Sequence, residues 1–176
     1  MDSQMIACPY CGSENTEGTD VCNDCQHSLT DLDHPALETP VERGLMKDRI
    51  EALTPKAPLT VAPQTSIGEV LSQMTAASIG CVMIVEGDEL LGIFSEFDAV
   101  RKVNVDAAQL ADRPISSVMT PAPITLEAKD KIAFALHKMH VGGYRHLPIM
   151  TKGKLSGVVS IRDILNYLSE RIGVRA

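Results

Sequence analysis

Two copies of one short pattern stand 65 residues apart in this chain. Gly92 to Asp98 (GIFSEFD) recurs as Gly157 to Asp163 (GVVSIRD), and each copy follows an apolar run and opens a stretch with helical periodicity. The register continues without a gap far beyond the motif. Further identities at the same offset are Pro58/Pro123, Thr60/Thr125, Ile67/Ile132, Leu71/Leu136, Met74/Met139, Ile84/Ile149 and Leu90/Leu155. Residues from about 54 to 172 therefore form a tandem repeat.

The spacing of apolar residues predicts the same order of elements in both copies. Ser66 and Glu69, for example, form a capping-box pattern at the start of a helical periodicity. The predicted elements of the first copy are a strand over 59–61, a helix from 66, strands over 81–85 and 90–94, and a helix over 96–103. Those of the second copy are a strand over 124–126, a helix over 131–140, strands over 146–150 and 155–160, and a helix to about 172. Each β-α-β-β-α unit is too small to enclose a core alone, so the two must pack together.

Four of the five cysteines form two pairs, Cys8 with Cys11 and Cys22 with Cys25, in the pattern C-x2-C-x10-C-x2-C. Zn²⁺ takes four soft ligands in a tetrahedron, and a two-residue gap lets a tight turn direct two thiolates at one ion. Gly12 follows the first pair, where the chain must turn. We therefore predict one structural zinc. Two disulfides would need an oxidising compartment that nothing indicates, and a redox-active thiol pair would need a βαβ context.

This segment resembles the zinc-ribbon family, in which two knuckles on short hairpins hold one metal ion. Iron in a rubredoxin-like site is the alternative metal, but the two knuckles of this chain are closer together in sequence than those of rubredoxins. His27 is an alternative ligand, but four thiolates already complete the coordination shell. Its apolar residues are too few to offset the entropy of ordering about 30 residues, so metal is expected to hold it together. We predict a zinc ribbon over 1–33 and, from its acids and prolines, a linker over 34–44.

The repeat resembles the cystathionine-β-synthase (CBS) domain family, whose G-h-x-S-x-x-D signature both copies contain, and a tandem pair is called a Bateman module. The resemblance implies an α+β fold (α/β in some schemes), with repeats over 45–110 and 111–176 packed as a pseudo-two-fold pair. It also implies two clefts that bind an adenosine-containing ligand: AMP, ADP, ATP or S-adenosylmethionine. In such clefts the motif Asp holds the ribose hydroxyls, the motif Ser lies near the ribose or first phosphate, and the strand leading into the other repeat adds backbone contacts.

Carried over residue by residue, the resemblance gives a second-repeat site and a first-repeat site. The second-repeat site would comprise Thr54, Lys56, Pro58, Leu59, Tyr144, Arg145, His146, Pro148, Ser160, Arg162 and Asp163. The first-repeat site would comprise Cys81, Ser95, Asp98, Thr120, Ala122 and Ile124. Arg145 and His146 can bind phosphate in the second-repeat site, whereas the corresponding residues of the first are Gly80 and Cys81. We therefore expect the first-repeat site to bind more weakly.

Ordinary structural roles are the alternatives for several of these residues. A Ser-x-x-Asp pattern before a helix is also an N-terminal cap, so both motifs are expected to cap their helices with or without a ligand. Capping and phosphate binding share one location, because a helix N-terminus presents free N–H groups to an anion. Lys56 and Arg145 could instead be solvated surface charges, and Cys81 a small core residue.

Catalytic motifs are not found: there is no nucleophile with a base, no Walker-type loop and no pair of carboxylates in one local context. His137 and His140 lie one helical turn apart without a third ligand and are interpreted as surface histidines. Four thiolates would leave zinc no open position for Lewis-acid catalysis. We therefore expect a regulatory sensor and not an enzyme, with a zinc ribbon that contacts an unidentified protein partner or stabilises the assembly.

The net charge of −7 originates in the N-terminal segment, because residues 1–42 contain nine acids and no Lys or Arg. A nucleic-acid-associated regulator of transcription or translation is the alternative function, since zinc ribbons often occur in such proteins. The acidity of this segment would repel phosphates, so no nucleic-acid partner is expected. Without a membrane-length apolar run or a signal-peptide pattern, a cytoplasmic protein with no membrane partner is expected. A homodimer is expected because CBS pairs generally associate, and because helices predicted over 45–53 and 163–172 carry apolar residues.

Overall fold

The computed structural model of the chain describes residues 5–16, 18–29 and 39–173. Its α-helices are α1 (Pro40–Lys47), α2 (Ile67–Ala77), α3 (Glu96–Asp98), α4 (Ala107–Leu110), α5 (Ile132–Gly142) and α6 (Ile161–Arg171). Its strands are β1 (Met5–Ala7), β2 (Glu14–Thr16), β3 (Thr60–Val61), β4 (Cys81–Glu86), β5 (Glu89–Ser95), β6 (Thr120–Pro121), β7 (Leu126–Glu127), β8 (His146–Thr151) and β9 (Lys154–Ser160). Single turns of 3₁₀ helix lie at Ile50–Leu53, Asn104–Asp106 and Ile115–Ser117, and a π-helical turn lies at Ala99–Val103.

Two compact units are built from interleaved stretches of the chain. The first unit comprises Met1–Thr54, Ala128–Arg145 and Ser160–Ala176, and the second comprises Pro55–Glu127 and His146–Val159. The N-terminal hairpin, α1, α5 and α6 thus belong to the first unit, and the two larger sheets belong to the second. The boundaries of these units differ from the boundaries of the two repeats. Helices α5 and α6 belong to the second repeat in sequence, but they lie in the same unit as the N-terminal part of the chain.

In the first unit, helix α1 begins earlier than the sequence analysis predicted. The Thr39 hydroxyl accepts a hydrogen bond from the backbone N–H of Glu42 at 3.1 Å, and the Glu42 carboxylate accepts one from the backbone N–H of Thr39 at 2.9 Å. Pro40 occupies the first turn, where a missing N–H leaves no bond unmade. Of the residues predicted as linker, 40–44 are therefore helical, Thr39 caps the helix, and 34–38 lie outside the described residues.

The prediction of a single helix over 45–53 is wrong. Helix α1 ends before Asp48, because Asp48 and Arg49 are extended, with ψ of 149° and 162°. The N–H of Ile50 then donates to the carbonyl of Asp130 at 2.9 Å, and the Ile50 side chain is fully buried. After this interruption the side chains of both Ile50 and Leu53 are buried in the 3₁₀ turn.

Helices α1 and α6 approach each other closely within the first unit. Tyr167 donates its hydroxyl hydrogen to the Asp48 carboxylate at 2.7 Å, and Arg171 pairs with the same carboxylate. The Arg171 guanidinium lies 4.5 Å from the centroid of the Tyr167 ring. A Cβ at Gly44 would clash with the Tyr167 hydroxyl oxygen and would lie 2.8 Å from Nε of Arg171. This position of α1 therefore admits only glycine without movement of the neighbouring side chains.

Two sheets form the framework of the second unit. The first has the strand order β3-β4-β5-β6, with β3 parallel to β4 and the β4–β5 hairpin antiparallel. The second has the order β7-β8-β9, with β7 parallel to β8. Ser95 ends β5 and Ser160 ends β9, and each is followed at once by a helix. The predicted β-α-β-β-α order is thus present in both repeats, although α3 is a single turn that the π-helical turn continues.

The strand that leads into each repeat pairs with the hairpin of the other repeat. Strand β6, which precedes the second repeat, pairs with β5 through Thr120 opposite Ile93. Lys56, which precedes the first repeat, exchanges two backbone hydrogen bonds with Val158 of β9, at 3.1 and 2.9 Å. This pairing agrees with the exchange of leading strands that the family resemblance implied.

Apolar side chains cover both faces of strand β4. On one face a core cluster includes Val82, Ile84, Phe94, Val70 and Ile67, all fully buried. On the other face Cys81, Met83 and Ile93 pack with the partly buried Leu155 and Val158. A strand covered on both faces has a continuous apolar sequence, which is the pattern observed here. Among the described residues, no helix combines the length and the apolar character needed to cross a bilayer.

Candidate functional site

Four cysteine thiols converge at the N-terminal hairpin. The Sγ atoms of Cys8, Cys11, Cys22 and Cys25 all lie within 4.8 Å of one another. The Cys8–Cys25 pair is separated by 3.7 Å and the Cys11–Cys22 pair by 3.6 Å, and none of the four forms a disulfide. A tetrahedral ion with Zn–S bonds of about 2.3 Å would hold its sulfurs about 3.8 Å apart. The donor set and its spacing therefore fit one tetrahedral metal ion.

Two backbone turns of the same form hold these cysteines. The N–H of Gly12 donates to the carbonyl of Cys8 at 2.8 Å, and the N–H of Gln26 donates to the carbonyl of Cys22 at 3.0 Å. Both turning residues have a left-handed backbone, with φ of +80° at Gly12 and +60° at Gln26. Both turns were expected from the two-residue gaps, but only Gly12 was predicted as a turning residue, because a glutamine gives no sign of a positive φ.

Asn15 supports the cluster from behind. Its amide is 1% exposed and donates to the Cys22 sulfur at 3.5 Å, while its carbonyl oxygen accepts from the N–H of Asn23 at 2.9 Å. Burial raises the pKa of the Cys22 thiol, but hydrogen bonds from the backbone of Cys25 and Asp24 and from the Asn15 amide outweigh it and lower that pKa to about 6. These donors favour a thiolate at Cys22, which is the form that binds metal.

Helix α5 contacts the four-cysteine segment through histidine. The Nε2 atom of His137 lies 3.3 Å from the carbonyl oxygen of Cys25, and its ring meets that of His27 edge-on at 5.2 Å. The Tyr10 ring in turn lies against the His27 ring. His27 therefore contacts aromatic rings and is not among the four clustered ligands. Of the two histidines interpreted as surface residues, His140 is exposed, whereas His137 is half-buried because the four-cysteine segment partly covers it.

A cavity of about 400 Å³ adjoins this contact within the first unit. Its lining residues are Tyr10, Glu42, Leu45, Met46, Ala133, Leu136, His137 and His140. Most of this lining is apolar.

Both motif serines cap the helix that follows them, as the sequence analysis predicted. The Ser95 hydroxyl accepts a hydrogen bond from the N–H of Asp98, and the Asp98 carboxylate accepts one from the N–H of Ser95 at 3.0 Å. Ser160 and Asp163 form the same reciprocal pair, with the carboxylate 2.7 Å from the Ser160 nitrogen. The motif therefore has a complete structural role in each copy before any ligand is considered.

In the first-repeat site, Asp98 has two further partners. Its Oδ1 atom accepts a hydrogen bond from the Thr120 hydroxyl at 3.0 Å and lies 2.8 Å from the Lys102 ammonium. Burial raises the pKa of Asp98, but hydrogen bonds from Lys102 and Ser95 outweigh it and hold that pKa below its ordinary value. Thr120 was predicted beside Asp98, and the structure brings the two together. Lys102 was missed, although its position four residues after Asp98 is a signal for such a pair.

The other residues predicted at the first-repeat site are less closely grouped. Cys81 is buried in the core beside Met83, and burial, with the nearby Glu96 carboxylate, raises the pKa of its thiol to about 12. The structure thus favours its alternative interpretation as a small core residue. Ala122 has a positive φ of +45° and donates its N–H to the carbonyl of Leu91, and Ile124 is exposed.

The residues predicted at the second-repeat site are divided between the two compact units. Those in the first unit are Thr54, Tyr144, Arg145, Ser160, Arg162 and Asp163, and those in the second are Lys56, Pro58, Leu59, His146 and Pro148. In the first unit, the N–H of Ile161 donates to the carbonyl of Arg145 at 2.9 Å, which fixes Arg145 beside the start of α6. Tyr144 is exposed.

In the second unit, the His146 ring lies against Gly80, where a Cβ would stand 2.7 Å from Nε2 of the ring and 3.2 Å from a carboxylate oxygen of Glu96. His146 therefore has neighbours in the first repeat. Its predicted role at the second-repeat site stays a prediction.

Two segments of the chain, residues 50–105 and 115–170, match the family model for the CBS domain. The chain belongs to the CBS-domain family. A CBS domain-containing protein of Arabidopsis thaliana is 31% identical to it over 115 residues, which are 65% of this chain and 20% of that protein. The matched part of this chain thus spans about a fifth of the length of that relative.

Solved CBS-domain structures share this fold. A CBS-domain containing protein from Agrobacterium tumefaciens matches with a TM-score of 0.64 and 28% identity, over 68% of this chain and 98% of that one. A CBS domain protein from Pyrobaculum aerophilum, solved as a complex with AMP, matches with a TM-score of 0.60 and 28% identity, over 70% of this chain and 99% of that one. These matches agree with the mixed helix and sheet fold described above.

Proposed function

We propose that the chain is a non-catalytic regulatory module whose CBS repeats bind an adenosine-containing ligand, with AMP, ADP, ATP and S-adenosylmethionine as the candidates. The observation that carries this proposal is the pair of Ser-x-x-Asp helix starts, Ser95 with Asp98 and Ser160 with Asp163, each directly after the second strand of a hairpin. The AMP bound by the Pyrobaculum relative supports the choice of ligand class. A carboxylate beside a helix N-terminus offers an acceptor for ribose hydroxyls and, next to it, N–H donors for phosphate.

The two sites are proposed to differ in affinity. Arg145 is held beside the start of α6, where its guanidinium would pair with phosphate. The first repeat has Gly80 and Cys81 instead, and the Cys81 thiol is buried with a pKa raised to about 12, so it stays neutral. One charge-assisted hydrogen bond contributes about 1.5 to 3 kcal/mol, or roughly tenfold to a hundredfold in affinity. The second-repeat site is therefore proposed as the tighter one.

The N-terminal segment is proposed to be a zinc ribbon with one structural ion on Cys8, Cys11, Cys22 and Cys25. The tetrahedral spacing of the four sulfurs supports this. Bound zinc would cross-link the two knuckles and fix their fold, and these residues would supply all four thiolates. We propose that the ribbon, held on helix α5, presents an acidic surface to a protein partner.

Calorimetry on the full chain tests the ligand proposal. Titration with AMP, ATP, S-adenosylmethionine and adenosine should give a tighter and a weaker phase for the phosphorylated ligands. Asp163→Ala should remove the tighter phase, and Asp98→Ala should affect only the weaker one. Arg145→Ala should weaken AMP or ATP by roughly tenfold or more and adenosine far less, because only the phosphates use the guanidinium.

Asp88→Ala is the matched control, since this exposed acid lies in the turn between β4 and β5 and pairs with Lys154. It should leave both phases unchanged. Equal losses from Asp98→Ala and Asp163→Ala, with no effect of Arg145→Ala, would disprove the asymmetry. If no adenosine compound binds, the two motifs are helix caps only and the ligand proposal fails.

A nucleic-acid role is the alternative, supported only by the frequency of zinc ribbons in transcription and translation proteins. Polarisation assays with mixed-sequence DNA and RNA decide between them. We expect no appreciable binding at physiological salt, because residues 1–42 carry nine acids and no Lys or Arg. Micromolar binding that weakens steeply with added salt would favour the alternative.

A further inference from the structure

The hydrogen-bonding capacity of Asp98 is taken up within the protein. Its Oδ2 atom accepts from the backbone N–H of Ser95 at 3.0 Å and from the Ser95 hydroxyl at 2.6 Å. Its Oδ1 atom accepts from the Thr120 hydroxyl and pairs with the Lys102 ammonium. A carboxylate has about four acceptor positions, and these four contacts match that number. A ribose hydroxyl can therefore bind Asp98 only by displacing one of them.

Lys102 is itself fully engaged. Its ammonium has three protons, and the nitrogen lies 2.8 Å from Asp98 Oδ1, 3.0 Å from the carbonyl oxygen of Val118 and 3.1 Å from the Thr120 hydroxyl oxygen. The Asp98 side chain is only 13% exposed and that of Lys102 is 38% exposed. The half-exposed lysine is thus tied into one closed network with the largely buried carboxylate, and differs from a freely moving surface side chain.

The two repeats differ at this position. Lys102 corresponds to Tyr167 in the second repeat, and the Tyr167 hydroxyl donates to Asp48 within the first unit. The backbone also differs: Ala99–Val103 forms a π-helical turn, whereas α6 continues as a regular helix. Single π-helical turns occur frequently at functional sites.

We infer that Lys102 is a specificity-determining residue that occupies the ribose-binding carboxylate of the first-repeat site and so excludes neutral nucleosides from it. The inference rests on the proposed function. A nucleoside must break the Lys102–Asp98 pair before its hydroxyls can reach Oδ1, and it brings no charge to compensate the displaced ammonium. The Lys102–Asp98 pair is thus a second cause of low affinity at the first-repeat site, in addition to the absence of an arginine at position 80.

Lys102→Met tests this inference, because methionine keeps an unbranched chain of similar length but has no donor. Adenosine is the probe, since it offers the ribose diol without a phosphate that could itself pair with Lys102. Backbone amide NMR signals of Asp98 and Thr120 report the first-repeat site, and those of Ser160 and Asp163 report the second. We expect the adenosine affinity at the first-repeat signals to rise roughly tenfold to a hundredfold in Lys102→Met, with no change at the second-repeat signals.

Arg101→Met is the control, because Arg101 lies over the Phe97 ring and makes none of the contacts in the Asp98 network. It should leave the adenosine affinity of both sites unchanged. Equal or weaker adenosine binding at the first-repeat signals of Lys102→Met, or none at all, would overturn the inference. Failure of the proposed function looks different, since the second-repeat signals would then respond to no adenosine compound in any variant, wild type included.

Discussion

The Nε2 atom of His137 lies 3.3 Å from the carbonyl oxygen of Cys25, so a helix of the second CBS repeat contacts the four-cysteine segment directly. Helix α5, which carries His137, ends at Gly142, only two residues before Tyr144 and three before Arg145. Both of these residues are predicted at the ligand site. The N-terminal segment is thus held by the helix that leads into that site.

Loss of the His137 side chain should loosen the N-terminal segment without lowering the amount of zinc that it binds. His137→Ala removes one hydrogen bond and one ring contact, which together contribute about 1 kcal/mol, or roughly fivefold in local opening. Hydrogen exchange of residues 22–29 should accelerate by about that factor. His140→Ala, one turn further along α5 and exposed, should not change it. Equal exchange in His137→Ala and wild type would show that the contact does not hold the segment.

The four-cysteine cluster should bind one zinc ion per chain. Cys22→Ser should reduce the zinc content measured by mass spectrometry to well below one ion, because Cys22 is the thiol with a pKa lowered to about 6. Cys81→Ser, which alters the buried core cysteine, should retain the metal. Chelation should unfold the N-terminal segment and leave the CBS repeats folded. Zinc retained in full by Cys22→Ser would contradict the assignment.

Tyr167 should contribute to stability in a pH-dependent way. Burial and the hydrogen bond to Asp48 raise its pKa to about 12, above the ordinary value near 10. A raised pKa in the folded state gives stability that is complete below pH 10 and is lost as the pH rises through 10 to 12. Tyr167→Phe should lower the free energy of unfolding by about 1 kcal/mol at neutral pH and remove this dependence.

Tyr144→Phe is the control for that measurement, because Tyr144 is exposed. It should leave both the stability and its pH dependence as in the wild type. If Tyr167→Phe keeps the pH dependence of the wild type, another group must be the cause of that dependence.

Gly44→Ala should destabilise the protein, because the added methyl group would meet the Tyr167 hydroxyl and Nε of Arg171. Overpacking of this kind costs about 1 to 3 kcal/mol. Gly68→Ala is a matched helical substitution whose Cβ would meet Ala111 at 3.4 Å. It should be neutral or stabilising by up to about 1 kcal/mol, through helix propensity. Denaturant unfolding measures both, and equal effects would exclude the close α1–α6 approach as the cause.

A homodimer is the expected assembly of the chain in solution. The segment 96–106 leaves Phe97, Val100 and Val105 exposed, and these apolar side chains would be covered by a second copy. Light scattering should give twice the mass of one chain at micromolar concentration. Val100→Asp should shift the distribution toward one chain. A single-chain mass for the wild type at every concentration would rule out the dimer.

Residue patterns in the sequence predicted the features of this protein that depend on short stretches of the chain. The 65-residue offset, the two Ser-x-x-Asp caps and the paired cysteines each depend on local sequence, so they were found without a structure. The start of α1 was missed although Thr39 and Glu42 carry the capping-box pattern, because the prolines nearby were interpreted as linker. The missed start thus had a local signal.

The contact of His137 with Cys25 had no such signal, because it joins residues 112 positions apart. The left-handed backbone of Gln26 was equally hidden, since glutamine rarely adopts it. The role of Lys102 could be predicted only in part from the sequence. Its spacing from Asp98 permits an ion pair, but only the position of Thr120 and Val118 makes that pair part of a closed network.

The segment that leads into the first repeat pairs with the hairpin of the second repeat, so this pairing can form only late in synthesis. The backbone of Lys56 pairs with Val158, which leaves the ribosome 102 residues later. At about 5 to 20 residues per second, that partner follows after roughly 5 to 20 s. The sheet of the second repeat is therefore closed by a segment made long before its partner strand, and such non-local pairing slows folding. Until β9 arrives, the backbone of Lys56 is open to the same strand from another growing chain, which would join two chains by a swapped strand.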